Sequence, residues 1–397
     1  MRSALPFRSF LASAISVFSL CAAPALAQDG RPVEFDRELA DLWSVAACAK
    51  PAPEGRFPGN ELKAHCADLD RIFSDYEKRW ATPARPFFAS LVPRDVPKVV
   101  VYPFGGADLL TALAVYPELS EITSISLEAG GDPRSFGSTP PNVLAKHLAL
   151  HRRFMEKLVI YNHSRTLDLA LLKGTPLPSQ LIFALVGLKV HGYEPVGLRA
   201  IALEADGSVR AYSTRDLALA DEQAKDLKGS SRNRKLNDLF AGYELRFKKR
   251  GVEGAPVQTY RHFQANLAND ELAKDPRILR YLEGTAKRGG GRFAAITKAA
   301  SYLLWWGNFS TIRELLKEHV AWMVSDSTGL NAIHLDPKVW EQDVYGRFFG
   351  TFLKSGVEGI AAIRALYEAQ PKRPLPFDYF GYPDNRKNGH LIVTRRR

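Results

Sequence analysis

Residues 96–128 narrow the choice of fold more than any other part of the chain. Val96 to Tyr102 (VPKVVVY) is a short β-branched run, the pattern of a buried strand. It breaks at Pro103-Phe104-Gly105-Gly106, after which Asp108 is placed to cap a helix over Leu109–Tyr116 that stops near Pro117. Ile122 to Leu127 (ITSISL) is a second strand, closed by Glu128 and followed by Ala129-Gly130-Gly131-Asp132. Strand, glycine turn, helix, strand and acid follow one another without interruption. That succession belongs to an α/β fold.

The flanking sequence extends this pattern. Residues 34–50 and 60–80 carry apolar side chains at three- and four-residue intervals, which predicts two helices around a Pro/Gly loop. Helices are expected over 142–161 and 178–190. Residues 196–213 alternate around Asp206-Gly207, the signature of a β-hairpin. The polar stretch 219–238 reads as an exposed connection, and 243–249 with 257–263 as another strand pair. Residues 270–283 and 293–324 read as helical, and 381–394 as a last hairpin. The expected architecture is a Rossmann-like mixed sheet flanked by helices, with an N-terminal helical extension. Its expected boundaries are 1–27 for a cleaved leader, 28–94 for the helical extension and 95–397 for the α/β domain.

The leader rests on Arg2 and Arg8, an uncharged run over 10–23, and the small-x-small sequence Ala25-Leu26-Ala27 before Gln28. The run is too short for a permanent anchor. A periplasmic or secreted protein of about 370 residues is expected, with no transmembrane segment after cleavage. Losing two arginines lowers its net charge from +11 to +9, a balance suited to anionic envelope material or an anionic small ligand. No nucleic-acid module is present. Cys21 leaves with the leader, so Cys48 and Cys66 remain, an even pair expected to form one disulfide outside the cytoplasm.

The turn Tyr102-Pro-Phe-Gly-Gly-Ala-Asp108 precedes Glu128 by about twenty residues, the spacing of a nucleoside site in Rossmann-like folds. This segment resembles the first motif and the acid after the second strand of class I S-adenosylmethionine-dependent methyltransferases. The Gly-x-Gly of that family is replaced here by Pro103-Phe104-Gly105-Gly106, and no Asp-Pro-Pro-Tyr-like motif follows. Together the YPFGGADLL turn, the ISLE strand end, Lys298-Ala-Ala-Ser-Tyr-Leu-Leu304 and Asp326-Ser-Thr-Gly329 resemble an uncharacterised family of exported bacterial proteins with such a core. The resemblance implies a ligand site at Tyr102, Gly105, Gly106, Asp108 and Glu128. The glycines would present amides, Asp108 would cap the helix or orient a ligand, and Glu128 would accept hydroxyl hydrogen bonds. The alternative for the turn is a tight structural corner.

Other clusters are weaker. Lys298, Ser301 and Tyr302 fall at i, i+3 and i+4 of an expected helix, an arrangement open to serine nucleophilic catalysis in an envelope hydrolase, but also to plain packing beside Trp305 and Trp306. A histidine–acid pair is the other hydrolase option, and a non-catalytic interaction protein is the third reading. His147 and His151 stand four apart, but without the zincin glutamate, and no metal is expected. Asp326-Ser327-Thr328-Gly329 reads as a helix exit and turn with Gly329 left-handed. No motif implies a particular cofactor.

Overall fold

The structure is a computed structural model that describes residues 30–51, 59–106, 108–160, 171–172, 174–298, 300–326, 328–348, 357–377 and 389–397. The leader at 1–27 lies outside the described residues.

The strands are β1 (Val99–Pro103), β2 (Glu121–Ser126), β3 (Tyr193–Leu203), β4 (Val209–Ala211), β5 (Gly242–Lys249), β6 (Gln258–Gln264), β7 (Phe293–Thr297), β8 (Val320–Ser325), β9 (Trp340–Gly346) and β10 (His390–Arg396). Among the described residues they form one mixed ten-stranded sheet in the order β4-β3-β5-β6-β2-β1-β7-β8-β10-β9. β6, β2, β1, β7 and β8 run parallel, and the strands outside them pair antiparallel. Every residue of β1 and β7 is buried, because helices cover both faces of a parallel sheet.

The main helices are α1 (Asp36–Asp41), α2 (Gly59–Tyr76), α3 (Thr82–Leu91), α4 (Leu109–Val115), α5 (Pro141–Ile160), α6 (Ser179–Val190), α7 (Thr214–Ala224), α8 (Gly229–Leu239), α9 (Asn269–Lys274), α10 (Arg277–Arg288), α11 (Ser310–His319) and α12 (Val357–Glu368). Val100, Ile122, Ala294 and Val324 pack into one core with Trp43 and Trp80 of the N-terminal helical region. Val101, Ile125 and Ala295, on the opposite face, pack with Ile278 and Leu282 of α10 and Ile312 of α11. The N-terminal helices are therefore continuous with the core of the sheet.

Four expectations change. Residues 293–324 are not one helical stretch: they form β7, a tight 3₁₀ segment Ala300–Trp305, α11 and β8. Short runs such as Phe293–Ile296 are apolar throughout, and periodicity does not separate a buried strand of this kind from a helix. The polar connection 219–238 falls on α7 and α8. The Ser213 hydroxyl accepts from the Asp216 amide, and the Asp216 carboxylate accepts from the Ser213 amide, a capping box that starts α7. Asp326 follows a strand rather than a helix, although Gly329 is left-handed at φ +50°. Finally, β10 pairs with β9 and β8; residues 381–388 of the expected hairpin lie outside the described residues.

Cys48 and Cys66 form the expected disulfide, with Cα atoms 5.6 Å apart. It joins the turn after α1 to α2, while the neighbouring His65 Nε2 bonds the Ala46 carbonyl at 3.0 Å. The cross-link closes a loop over a separation of 18 residues, for which the chain-entropy estimate is about 3 kcal/mol. Urea unfolding of Cys48→Ser/Cys66→Ser should show a stability loss of about that size. An unchanged midpoint would mean that the helical packing alone fixes this region.

Candidate functional site

β1 and β7 are neighbours, but from β1 the chain crosses to β2 on one side and from β7 to β8 on the other. The loops at their carboxyl ends therefore diverge, and a crevice opens between them in folds of this kind. The residues singled out in the sequence lie along that edge, in two parts of opposite character.

The first part is closed. β1 turns at Phe104, whose φ of +60° is a strained conformation for a bulky residue, and whose ring packs edge-on against Phe309 at 5.6 Å. A Cβ on Gly105 would sit 2.5 Å from the Tyr102 ring, so glycine is required there by the protein itself. The Gly105 amide donates to the Ile125 carbonyl at 3.0 Å and is not free for a ligand. Gly106 has φ +53° and open space around it.

Asp108 caps α4 as expected, its Oδ1 accepting from the Thr111 amide at 3.1 Å and the Thr111 hydroxyl at 2.8 Å. Its Oδ2 accepts from the Tyr102 hydroxyl at 3.0 Å and pairs with Lys298 Nζ at 2.6 Å. Lys298 also donates to Thr111 Oγ1 at 2.9 Å. Both charged side chains are almost wholly buried, 6 % and 4 % exposed. Lys298 thus crosses from the end of β7 to the β1–α4 turn. Ser301 turns the other way, its hydroxyl within reach of the Asp326 carbonyl at 2.6 Å and Oδ1 at 3.0 Å. The amine and the hydroxyl expected on one helix face therefore serve two different acids.

The second part is open. After β2, the Glu128 amide donates to Ser126 Oγ at 3.1 Å and its carbonyl accepts from His262 at 2.8 Å. The residue is only 8 % exposed, yet among the described residues its carboxylate has no hydrogen bond or ion pair. Gln180 Oε1, at the start of α6, is a buried acceptor without a donor. Both border a cavity of about 20 Å³ lined also by Gly131, Ser179 and Asn237. The amides of Gly130 and Gly131 donate to Ala241 and Phe240, so this part offers acceptors rather than donors.

One polar chain holds both parts. His262 donates from Nε2 to the Glu128 carbonyl, which leaves Nδ1 to accept from the Ser124 hydroxyl at 3.1 Å. Ser124 Oγ lies 2.6 Å from the Tyr260 hydroxyl, and that hydroxyl reaches the Gly106 carbonyl at 3.4 Å. Tyr243 stacks on the imidazole at 5.5 Å, and its hydroxyl donates to the Gln180 carbonyl at 3.1 Å. Nothing in the sequence around Tyr260 and His262 marks them, since they are alternate residues of an ordinary-looking strand.

His147 and His151 do not form a metal pair. Both nitrogens of His151 are engaged, Nδ1 with the His147 carbonyl at 2.7 Å and Nε2 with Ser179 Oγ at 2.8 Å. Among the described residues no cluster of three His, Cys, Asp or Glu side chains could hold a metal.

Comparison with protein-family models, curated proteins and solved structures finds no match to this chain.

Burial pushes the imidazoles of His65, His151, His262 and His390 down to about 4, and that of His191 to about 3. Each is neutral in the fold and takes up a proton near pH 6.5 once unfolded. Stability is therefore complete above pH 6.5 and falls as pH drops toward 4, because the unfolded chain binds more protons. Melting curves between pH 7.5 and 4.5 should show this decline, and it should be shallower in His262→Gln. A melting temperature flat across that range would contradict neutral buried histidines.

Proposed function

We propose that the chain is an exported, periplasmic or secreted protein that binds a small hydroxyl- or ammonium-bearing ligand at the carboxyl edge of a Rossmann-like, methyltransferase-related sheet. The strand order supports the fold part of this reading. Counting the central strands along the chain, the parallel core reads 3-2-1-4-5, the doubly wound order with its switch point beside the first strand. The reversed β10 inserted between β8 and β9 makes the edge similar to that of class I methyltransferases. The Cys48–Cys66 disulfide supports export. No described helix is long and apolar enough to cross a membrane.

The observation that carries the ligand part is the Glu128 carboxylate, which has no partner among the described residues, beside the unpartnered Gln180 Oε1. The Gln180 acceptor is buried without a donor, which is costly, and a ligand that brings donors to it and to the neighbouring Glu128 carboxylate removes that cost. A cavity of about 20 Å³ holds about one water, so a single donor group enters it while the ligand's body lies outside. Asp108 and Lys298 neutralise each other, buried between the β1–α4 turn and the end of β7, which favours binding over acid–base turnover.

The test is a thermal-shift screen of the purified protein with nucleosides, S-adenosylmethionine, sugars and polyamines. A ligand at a hundred times its dissociation constant adds about 2.7 kcal/mol of stability. Glu128→Gln should leave the unliganded melting temperature in place and weaken the binder about tenfold or more, the value of a hydrogen bond to a charged group. Equal shifts in the variant, or no shift with any compound, would remove Glu128 as a ligand contact.

A further inference from the structure

A second concavity lies at the β9 edge of the sheet, five strand steps from β2, or roughly 24 Å at the usual spacing. Described residues from the end of β9, from α12, from 370–377 and Gly389 line a cavity of about 1180 Å³, somewhat above the usual size of small-molecule sites. Among the described lining residues, Arg347, Arg364, Lys372 and Arg373 stand against one carboxylate, Glu368. Arg373 is accounted for: it pairs with Asp343 at 2.8 Å and lies over the Tyr345 ring at 5.3 Å. Arg347, Arg364 and Lys372 have no ion pair or side-chain hydrogen bond among the described residues, and all three are exposed.

Arginines that serve the fold look different in this chain. Arg134 bridges Asp132 and Asp221, and Arg261 bridges Glu121 and Glu244. Three uncompensated cations around one concavity repel each other and lower the energy of any polyanion placed among them. Beneath them Phe348 stacks on Tyr367 at 5.6 Å, and Phe377 closes the wall. The Tyr367 hydroxyl is engaged by the Tyr345 and Leu391 carbonyls, so this floor presents rings rather than acceptors.

We propose that this cavity is a binding site for a ligand with clustered phosphate oxyanions. The guanidinium forks of Arg347 and Arg364 and the ammonium of Lys372 contact the phosphates, and the Phe348–Tyr367 pair supports the rest of the ligand. Guanidinium forks match phosphate oxygens in pairs, and the ammonium adds a point charge. Three free cations fit two linked phosphoryl groups better than a single carboxylate. The site is independent of Glu128 and does not rest on the reading given for that residue.

Titration calorimetry of the full chain with three soluble probes tests this: inorganic pyrophosphate, short-chain cardiolipin (two phosphodiesters on one headgroup) below its micelle concentration, and citrate. Pyrophosphate or the lipid should bind, more weakly as salt rises, with citrate at least tenfold weaker than the better of the two. The tighter phosphate probe then identifies a free or a lipid-borne source. R347Q/R364Q/K372Q should melt with the wild type, because none of these side chains has a partner among the described residues, and should bind that probe at least tenfold more weakly. R347K/R364K/K372R, which keeps the charge, should recover most of the affinity. Wild-type binding to neither phosphate probe, citrate binding as tightly, or equal binding by the neutral triple variant would overturn the proposal.

Discussion

The buried ion pair between Asp108 and Lys298 is the contact on which the carboxyl edge of the sheet depends. It spans the place where the chain leaves β1 in one direction and β7 in the other, and where folds of this kind open. Burying two charges costs more than their attraction returns unless the remaining polar atoms are satisfied. Here they are satisfied in an ordered set. Thr111 and Tyr102 supply the other donors to Asp108, and Thr111 accepts from Lys298. The same carboxylate caps α4, so the start of that helix, the end of β1 and the end of β7 are fixed by one group.

That closure explains why the glycine turn differs from a ligand-cradling loop. Gly105 is pressed against Tyr102 and bonded to β2, and Phe104 takes a left-handed turn that its sequence position does not advertise. The charge that the crevice could offer is consumed within the protein. What remains open lies one strand over, at Glu128 and Gln180, where acceptors outnumber donors. The His262–Ser124–Tyr260 chain connects the two parts and sets the backbone of each.

β1, α4 and β2 were legible in the sequence because glycines and Pro117 mark their ends and their lengths are short. Asp108 was legible as a cap because the cap is a local interaction. Its pairing with Lys298 was not, since the two residues meet only once β7 is set beside β1. β7 and β8 were hidden for a different reason: a strand buried on both faces carries no alternation. α7 and α8 were hidden by their polarity, since only positions such as Ala220, Ala224 and Leu236 turn inward. The position of Glu128 followed from the end of ITSISL, but its lack of a partner among the described residues is visible only in three dimensions.

The most direct measurement is a double-mutant cycle on the ion pair, read by urea unfolding of the wild type, K298M, D108N and the double variant. Removing one partner of a buried pair leaves an uncompensated charge, and each single change should cost about 3–5 kcal/mol. The double variant should then be far more stable than the sum of the two losses predicts. Additive losses, or single losses below about 1 kcal/mol of the kind exposed pairs give, would contradict a carboxyl edge organised around Asp108 and Lys298.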